Sequence, residues 1–549
     1  MDSSVKVLNR NNVFYNYFLQ KKIVAVKGSL ADDEMLERIT SLARFSWKNH
    51  AGYYFDGRLE NILFDYGKDL CNYIDKEKVE NDVERIAGVK KSYTIMHVAT
   101  QLLEVGGHTR VLYQFLKRYD DRDQVLVLTD QTRKIPEWFS EGLGGKITIL
   151  RLNAVESLFE RSYALRCLSQ RCNTVISYHH PYDVVPIMAF SHDQCPPVLI
   201  ENHAHSWFWL GPSVADMVYS HTAFHQDFTL KTRPVSRSGY LQGIQIDDLL
   251  NEFDYTDKVK AREKLGLTPD TVCLITIGIA EKFIPNAQYD FFKTAGKILE
   301  KFKNVELFVI GIAESQSLRS KYNLHTGRIH FVGVVSDPSD YYKAADICMD
   351  ALPQPSLGAT LYATLIGMAC PLFKYGAGNI FNSRKFLEAR LYDRYIGDTD
   401  SESELLDRLE MLINNPDLTV AIAKEIRDTY IESHSDEAFI ANITALIDTA
   451  SKMTHKPGRI PEGVYHSDCD SAEIADTCPL QDLAGMFNYF GDYLDIKDKI
   501  AILTLLSSRL MYGIDIVKFA GTALKNKVQK LGVFFNGQLL MSGSSKNCD

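Results

Sequence analysis

The sequence predicts an α/β protein built from two parallel, doubly wound sheets in series, with helical extensions at both ends. Three observations carry this. The chain has 549 residues, whereas a single hydrophobic core stops growing at roughly 250 to 300 residues, so at least two domains are required. From residue 93 onward, short apolar runs rich in β-branched residues alternate with longer helical patterns. The runs are continuously apolar and not alternating, which marks strands covered by helices on both faces.

The first series consists of Tyr93–Val98, Gln124–Thr129, Lys146–Leu150, Thr174–Tyr178, Val198–Glu201 and Asp216–Ser220. It reads as one Rossmann-like domain over residues 91–240. A second series follows a polar stretch near Asp247 to Asp257: Val272–Gly278, Val305–Gly311, Arg328–Gly333, Asp346–Asp350, Cys370–Lys374 and Arg394–Gly397. Between its first two members, Phe291, Ala295, Ile298, Leu299 and Phe302 recur at helical spacing within Asn286–Lys303. This predicts a second Rossmann-like domain over 241–455. Residues 1–90 carry amphipathic segments at Leu36–Phe45 and Ile62–Ile74, and 456–549 turn helical from Asp482; neither extension contains a motif that assigns it a task.

Composition narrows the function. A formal net charge of −9 and a pI near 6.0 give no general attraction for a polyanion, which argues against nucleic acid as a partner. The polar start, interrupted by Asn11, Asn12, Asn16 and Gln20, lacks the apolar core of a secretory signal, and no uncharged run has the 18 or so residues of a membrane span. Ten cysteines lie scattered without a CxxC pair, fitting neither a disulfide framework nor a zinc site. A cytoplasmic protein is expected, with the inner face of a membrane as a workplace. The segment Ile514–Phe535, where Lys518, Lys525, Lys527 and Lys530 mix with apolar residues, reads either as a peripheral membrane helix or as a helix packed on the protein.

Open α/β sheets bind ligands at the carboxyl ends of their strands, so candidate residues are sought there. After the first strand, Gly106 and Gly107 open a helix whose free N–H groups suit a phosphate or a sugar hydroxyl. In the second series, Lys282 follows the first strand and places a point charge suited to a diphosphate. Gly358, Ala359 and Thr360 start another helix with the same dipole. Histidines cluster at His179-His180, His203, His205, His221 and His225, and His203 or His180 is the candidate base for an acceptor hydroxyl. No acidic or cysteine partner has metal-ligand spacing, so no metal is expected.

Together these residues resemble the GT-B glycosyltransferases, most closely the bacterial enzymes that build surface polysaccharides. The resemblance covers about residues 93 to 450. It lies in Gly106-Gly107, in Ser177-Tyr-His-His180, in Val198-Leu-Ile-Glu-Asn-His203 and in Ala215-Asp-Met-Val-Tyr-Ser220, in that order. In the second half it lies in Lys282, in His330-Phe-Val-Gly-Val-Val335 and in Ala345-Asp-Ile347. It implies a nucleoside diphosphate sugar as co-substrate, a UDP-sugar favoured, with no separate cofactor. The base would lie near Gly333, Val334 and Val335, and the diphosphate at Lys282 and the Gly358–Thr360 helix start.

The glutamate pair of the common retaining enzymes is missing from Pro355–Thr364, where Gly358-Ala-Thr360 is instead similar to the donor loop of protein O-GlcNAc transferases. Retention and inversion both stay open. The expected activity is a metal-independent, hexosyltransferase-like transfer to a hydroxyl of a glycan, lipid-linked or protein acceptor, in cell-surface glycan synthesis. The alternatives are a sugar-nucleotide epimerase of the same fold and a catalytically silent sugar-binding scaffold.

Overall fold

The computed structural model describes residues 3–29, 32–88, 92–104, 106–119, 123–155, 157–241, 255–285, 289–370, 401–433, 435–480 and 482–508. The expected strand Arg394–Gly397, the expected strand after Cys370, most of the polar stretch before residue 255, Asn286 and the basic segment Ile514–Phe535 lie outside these residues.

Two parallel sheets are present among the described residues. The first contains β1 Tyr93–Ala99, β2 Gln124–Leu128, β3 Thr148–Arg151, β4 Cys172–Tyr178, β5 Val198–Glu201, β6 Met217–Ser220 and β7 Ser238–Tyr240, ordered β3-β2-β1-β4-β5-β6-β7. The second contains β8 Val272–Ile277, β9 Val305–Ile310, β10 Ile329–Gly333 and β11 Ile347–Cys348, ordered β10-β9-β8-β11. Every strand pairing in both sheets is parallel. The short β7 extends the first sheet beyond the expected strands. β11 is only two residues long, and the carboxylate of Asp346 just before it accepts from the Lys258 ammonium at 2.7 Å, Arg262 at 3.1 Å and the Cys273 amide at 2.8 Å.

Strand order reverses between β1 and β4 in one sheet and between β8 and β11 in the other. At such a switch point the neighbouring crossovers leave on opposite faces and open a crevice at the strands' carboxyl ends. The Gly106-Gly107 loop follows β1, His179-His180 follow β4, Lys282 follows β8, and the loop to Gly358 follows β11. Topology alone therefore collects the sequence candidates at two crevices.

The terminal extensions are helical and share one core with the first sheet. Helices Ser3–Phe18, Asp32–Asn49, Gly57–Lys68 and Lys76–Ala87 precede β1, and Cys469–Asp476, Leu483–Tyr489 and Ile496–Ser508 follow the second sheet. Phe14 meets Phe487 at 5.0 Å and Phe18 meets Phe490 at 4.7 Å between ring centroids. Each such buried ring contributes about 2 kcal/mol from removed apolar area. On the opposite face of the first sheet, the helix Asp436–Ala450 buries Phe439, Ile443, Leu446 and Ile447 against residues of β1, β2, β4, β5 and β6. The chain then returns along the first domain, where the Lys456 amide donates to Asp216 at 2.9 Å and the Gly458 amide to the Ser213 carbonyl at 2.9 Å. No helix among the described residues is long and apolar enough to cross a membrane.

One backbone contact sets the mouth of the second crevice. Gly311, just past β9, has φ +100°, and a Cβ there would lie 2.3 Å from the Gly278 carbonyl oxygen at the end of β8. Gly278 in turn leaves room for Ala351 and the Lys282 stem. A Gly311→Ala variant is expected to lose about 2 kcal/mol or more of stability, from positive φ and the backbone clash together. Urea denaturation of both proteins measures it.

Candidate active site

The first domain presents a layer of histidines at the carboxyl edge of its sheet. Gly106 has φ +146°, its helix Gly107–Arg118 has no side-chain cap, and added Cβ atoms at Gly106 and Gly107 would meet nothing within 4 Å. A helix start without a side-chain cap and with room at both glycines is suited to an anion or a sugar hydroxyl. His108, in the first turn, donates through Nε2 to the Tyr178 carbonyl at the end of β4, and its ring lies 4.4 Å from that of His203. His180 packs 5.6 Å from His108 on the other side, with Nδ1 3.1 Å from the Tyr182 hydroxyl.

The organising group of this layer is Glu201, the last residue of β5, which is 2% exposed. His203 Nδ1 donates to Glu201 Oε2 at 2.9 Å, and His221 Nε2 donates to Oε1 at 2.8 Å. Burial pushes this carboxyl up, but the two histidine hydrogen bonds more than offset it and hold the group ionised, well below the usual carboxylate range. With Nδ1 donating, the neutral His203 ring keeps its lone pair on Nε2, and Nε2 has no hydrogen-bond partner among the described residues. A base aimed by a buried carboxylate is the arrangement that general-base chemistry requires.

The second domain supplies positive charge. Lys282 sits in a short 3-10 turn, Ala280–Phe283, and its ammonium donates to the Pro355 carbonyl at 2.8 Å. The Gln354 amide donates back to the Lys282 carbonyl at 3.2 Å. The loops after β8 and β11 are thus tied together immediately before the helix Leu357–Leu365. Burial brings the Lys282 ammonium down to about 8, partly countered by the nearby Asp350 carboxylate. The helix has no side-chain cap, Gly358 is exposed, and nothing lies within 4 Å of a Cβ placed there. Its end is open to an anion.

The structure brings Lys282, Gly358 and Ala359 to one place. Thr360 differs: its amide closes the first helical turn on Ser356 at 2.9 Å, and its side chain is buried, with the hydroxyl lacking a partner among the described residues. Gly333 has φ +76° and is pinned by hydrogen bonds to Gly311 and Ile312, while Val334 after it is 66% exposed and Val335 is half-buried. The two domains meet across these residues. Arg110 donates to the Ser336 carbonyl at 3.3 Å, and the Lys282 ammonium lies within electrostatic reach of His205.

Sequence reasoning missed Glu201, His221 and His108 as a unit with His203. Glu201 ends an otherwise apolar run, and a carboxylate ending a buried strand was the available signal. His179 serves the fold, bonded to Ser177 at 2.8 Å and the Leu210 carbonyl at 2.7 Å. Asp216, which lies near the histidines in sequence, sits at the opposite end of its strand, bonded to His455 at 2.6 Å.

The histidine layer makes stability depend on pH. Burial, reinforced by like charges nearby, lowers His108 to about 3, His180 to about 2 and His205 to about 3. The unfolded chain takes up protons near pH 6.5 that the folded chain refuses, so stability is full above that value and falls as pH drops below it. The slope is about 1.4 kcal/mol per pH unit for each such histidine. Denaturation midpoints at about pH 7.5 and about pH 5.5 should differ strongly, and a triple His→Gln variant at these positions should flatten the dependence.

No family model and no curated protein matches the sequence. Solved structures do. HepE from Anabaena in complex with UDP and glucose superposes with a TM-score of 0.50 at 13% identity, covering 65% of this chain and 100% of that one. The same protein in complex with UDP-glucose gives 0.50 at 14% identity, covering 65% and 99%. At these identities the likeness speaks to architecture, and with the two parallel sheets and their facing carboxyl edges it shows that this chain has the GT-B fold.

Proposed function

We propose that this protein is a glycosyltransferase that moves a sugar from a nucleoside diphosphate sugar to a hydroxyl acceptor. The observation that carries this reading is the Glu201–His203 pair, a half-buried base whose second ring nitrogen has no partner among the described residues, in a histidine layer whose His205 lies within electrostatic reach of the buried Lys282 ammonium beside an uncapped helix end. In this reading the acceptor oxygen attacks the anomeric carbon while its proton passes to His203 Nε2. The bond from that carbon to the diphosphate oxygen breaks, and the leaving group's charge is met by Lys282 and the amides of Leu357, Gly358 and Ala359. These groups supply the positive field that a divalent cation would otherwise provide, which supports a metal-independent reaction. A base on the acceptor side favours a single displacement, hence inversion.

The base of the nucleotide would lie along Gly333–Val335, where exposed Val334 offers an apolar surface. A UDP-sugar is the first donor to test, since the fold neighbour HepE is described in complex with UDP-glucose. The acceptor is a glycan, lipid-linked or protein hydroxyl, and cell-surface glycan synthesis is the setting this reading fits.

His203→Ala and Glu201→Gln are each expected to lower kcat about a hundredfold or more while leaving the affinity for UDP close to wild type. Turnover is expected to survive EDTA. Release of UDP only when acceptor is present distinguishes transfer from epimerisation, and absence of both transfer and UDP-sugar binding would leave a silent scaffold. UDP affinity is expected to decline as pH rises through about 8, because the binding form of Lys282 is the ammonium, and Lys282→Met should weaken binding and remove that decline. Isothermal titration across pH reads both.

A further inference from the structure

The N-terminal helix Asp32–Asn49 reaches the same crevice. From His203 a row of half-buried rings runs outward: His108 at 4.4 Å, His180 5.6 Å beyond it, Tyr182 a further 5.5 Å, and Trp47 5.5 Å from Tyr182. At the far end the Arg44 guanidinium stacks over the Tyr182 ring at 4.2 Å, and the Lys48 ammonium lies 5.9 Å from the Trp47 ring. Arg44 and Lys48 are exposed; Arg44 also hydrogen-bonds the Tyr182 hydroxyl, and no ion pair of either is found among the described residues.

The scaffold beneath them is rigid. Phe45 and Ser46, on the same helix, are fully buried, and Phe45 packs against Tyr489 and Phe490 of the C-terminal extension. The Tyr489 hydroxyl donates to the Ser41 carbonyl at 3.1 Å. Two cations are thus held, without neutralisation, beside aromatic faces that continue into the candidate base.

Resting on the glycosyltransferase reading, we infer that Arg44, Trp47 and Tyr182 form an acceptor subsite for a sugar unit bearing a negative charge, a carboxylate or a phosphate. The physical reasons are separate for each part. Aromatic faces suit the apolar C–H face of a sugar ring, and a guanidinium already oriented by stacking presents its fork to a carboxylate or phosphate at little entropic cost. Exposure is what lets an incoming anion reach the pair. The row of rings leads such a unit toward His203 and gives the N-terminal extension a role in choosing the acceptor.

The test uses the full chain and three probes: methyl glucuronide, glucose 6-phosphate and methyl glucoside, titrated by ligand-observed NMR. At least one anionic probe should bind about tenfold more tightly than the neutral glucoside, and Arg44→Ala should abolish that difference. The glucuronide and phosphate arms tell which anion the site takes. Arg44→Lys, which keeps the charge and loses the fork, should fall between the two. An unchanged melting temperature of Arg44→Ala without ligand establishes that the variant is folded.

Equal binding of all three probes to wild type, absence of binding, or an anion preference that persists in Arg44→Ala overturns the subsite. The donor reading is scored separately, by the thermal shift that UDP-glucose produces in wild type and fails to produce in Lys282→Met. A lost anion preference with an intact donor shift rejects only the subsite; an absent donor shift rejects the reading beneath it.

Discussion

A carboxylate buried at the end of β5 is the constraint on which the candidate site depends. Stripping Glu201 of water costs several kcal/mol if the charge is left uncompensated. Two imidazole N–H donors at 2.9 and 2.8 Å offset that cost, and they do so only if His203 and His221 hold fixed orientations. The demand of one buried charge therefore determines where His203 points. Removing the carboxylate would free both rings, and so its effect on turnover would exceed any direct contact it makes with substrate.

The surroundings sharpen this arrangement. His108, His180 and His205 are all driven toward the neutral form by burial. In the proposed reaction, a crowd of imidazolium groups around His203 would repel a proton arriving at its Nε2, whereas neutral neighbours would leave the Glu201 carboxylate as the charge that favours it. The same desolvation destabilises the fold in acid. The site and the pH sensitivity of the protein share one cause.

Much of the architecture was legible in the sequence, because strands buried on both faces carry near-continuous apolar runs, as Val125–Leu128 of β2, Val198–Ile200 of β5, Cys273–Ile275 of β8 and Leu307–Ile310 of β9 do. The short β7 and β11 were harder to read: Ser238–Tyr240 offers too few residues for a pattern, and Asp346 gives its carboxylate to a helix and a strand amide. In the candidate site, the positions of Lys282, Gly358 and His203 beyond strand ends were readable because glycines and charges there stand out against an apolar background. Thr360 differs from its two neighbours for a geometric reason, since the fourth residue of this helix turns its side chain inward. Glu201 was passed over because one acidic residue carries no periodicity.

The terminal extensions were opaque for a different reason. Their meaning lies in contacts between residues more than four hundred positions apart, such as Phe14 with Phe487, which no local pattern encodes. Those contacts bury the apolar face of Asp32–Asn49 and thereby fix its opposite face, with Arg44 and Trp47, over Tyr182. A helix anchored only by its neighbours in sequence would fray at this length, because isolated helices of under about 15 residues are marginal and longer ones gain most of their stability from packing. The two extensions thus need each other, and the face of Asp32–Asn49 that carries Arg44 and Trp47 is fixed over the first domain only when both are folded upon it.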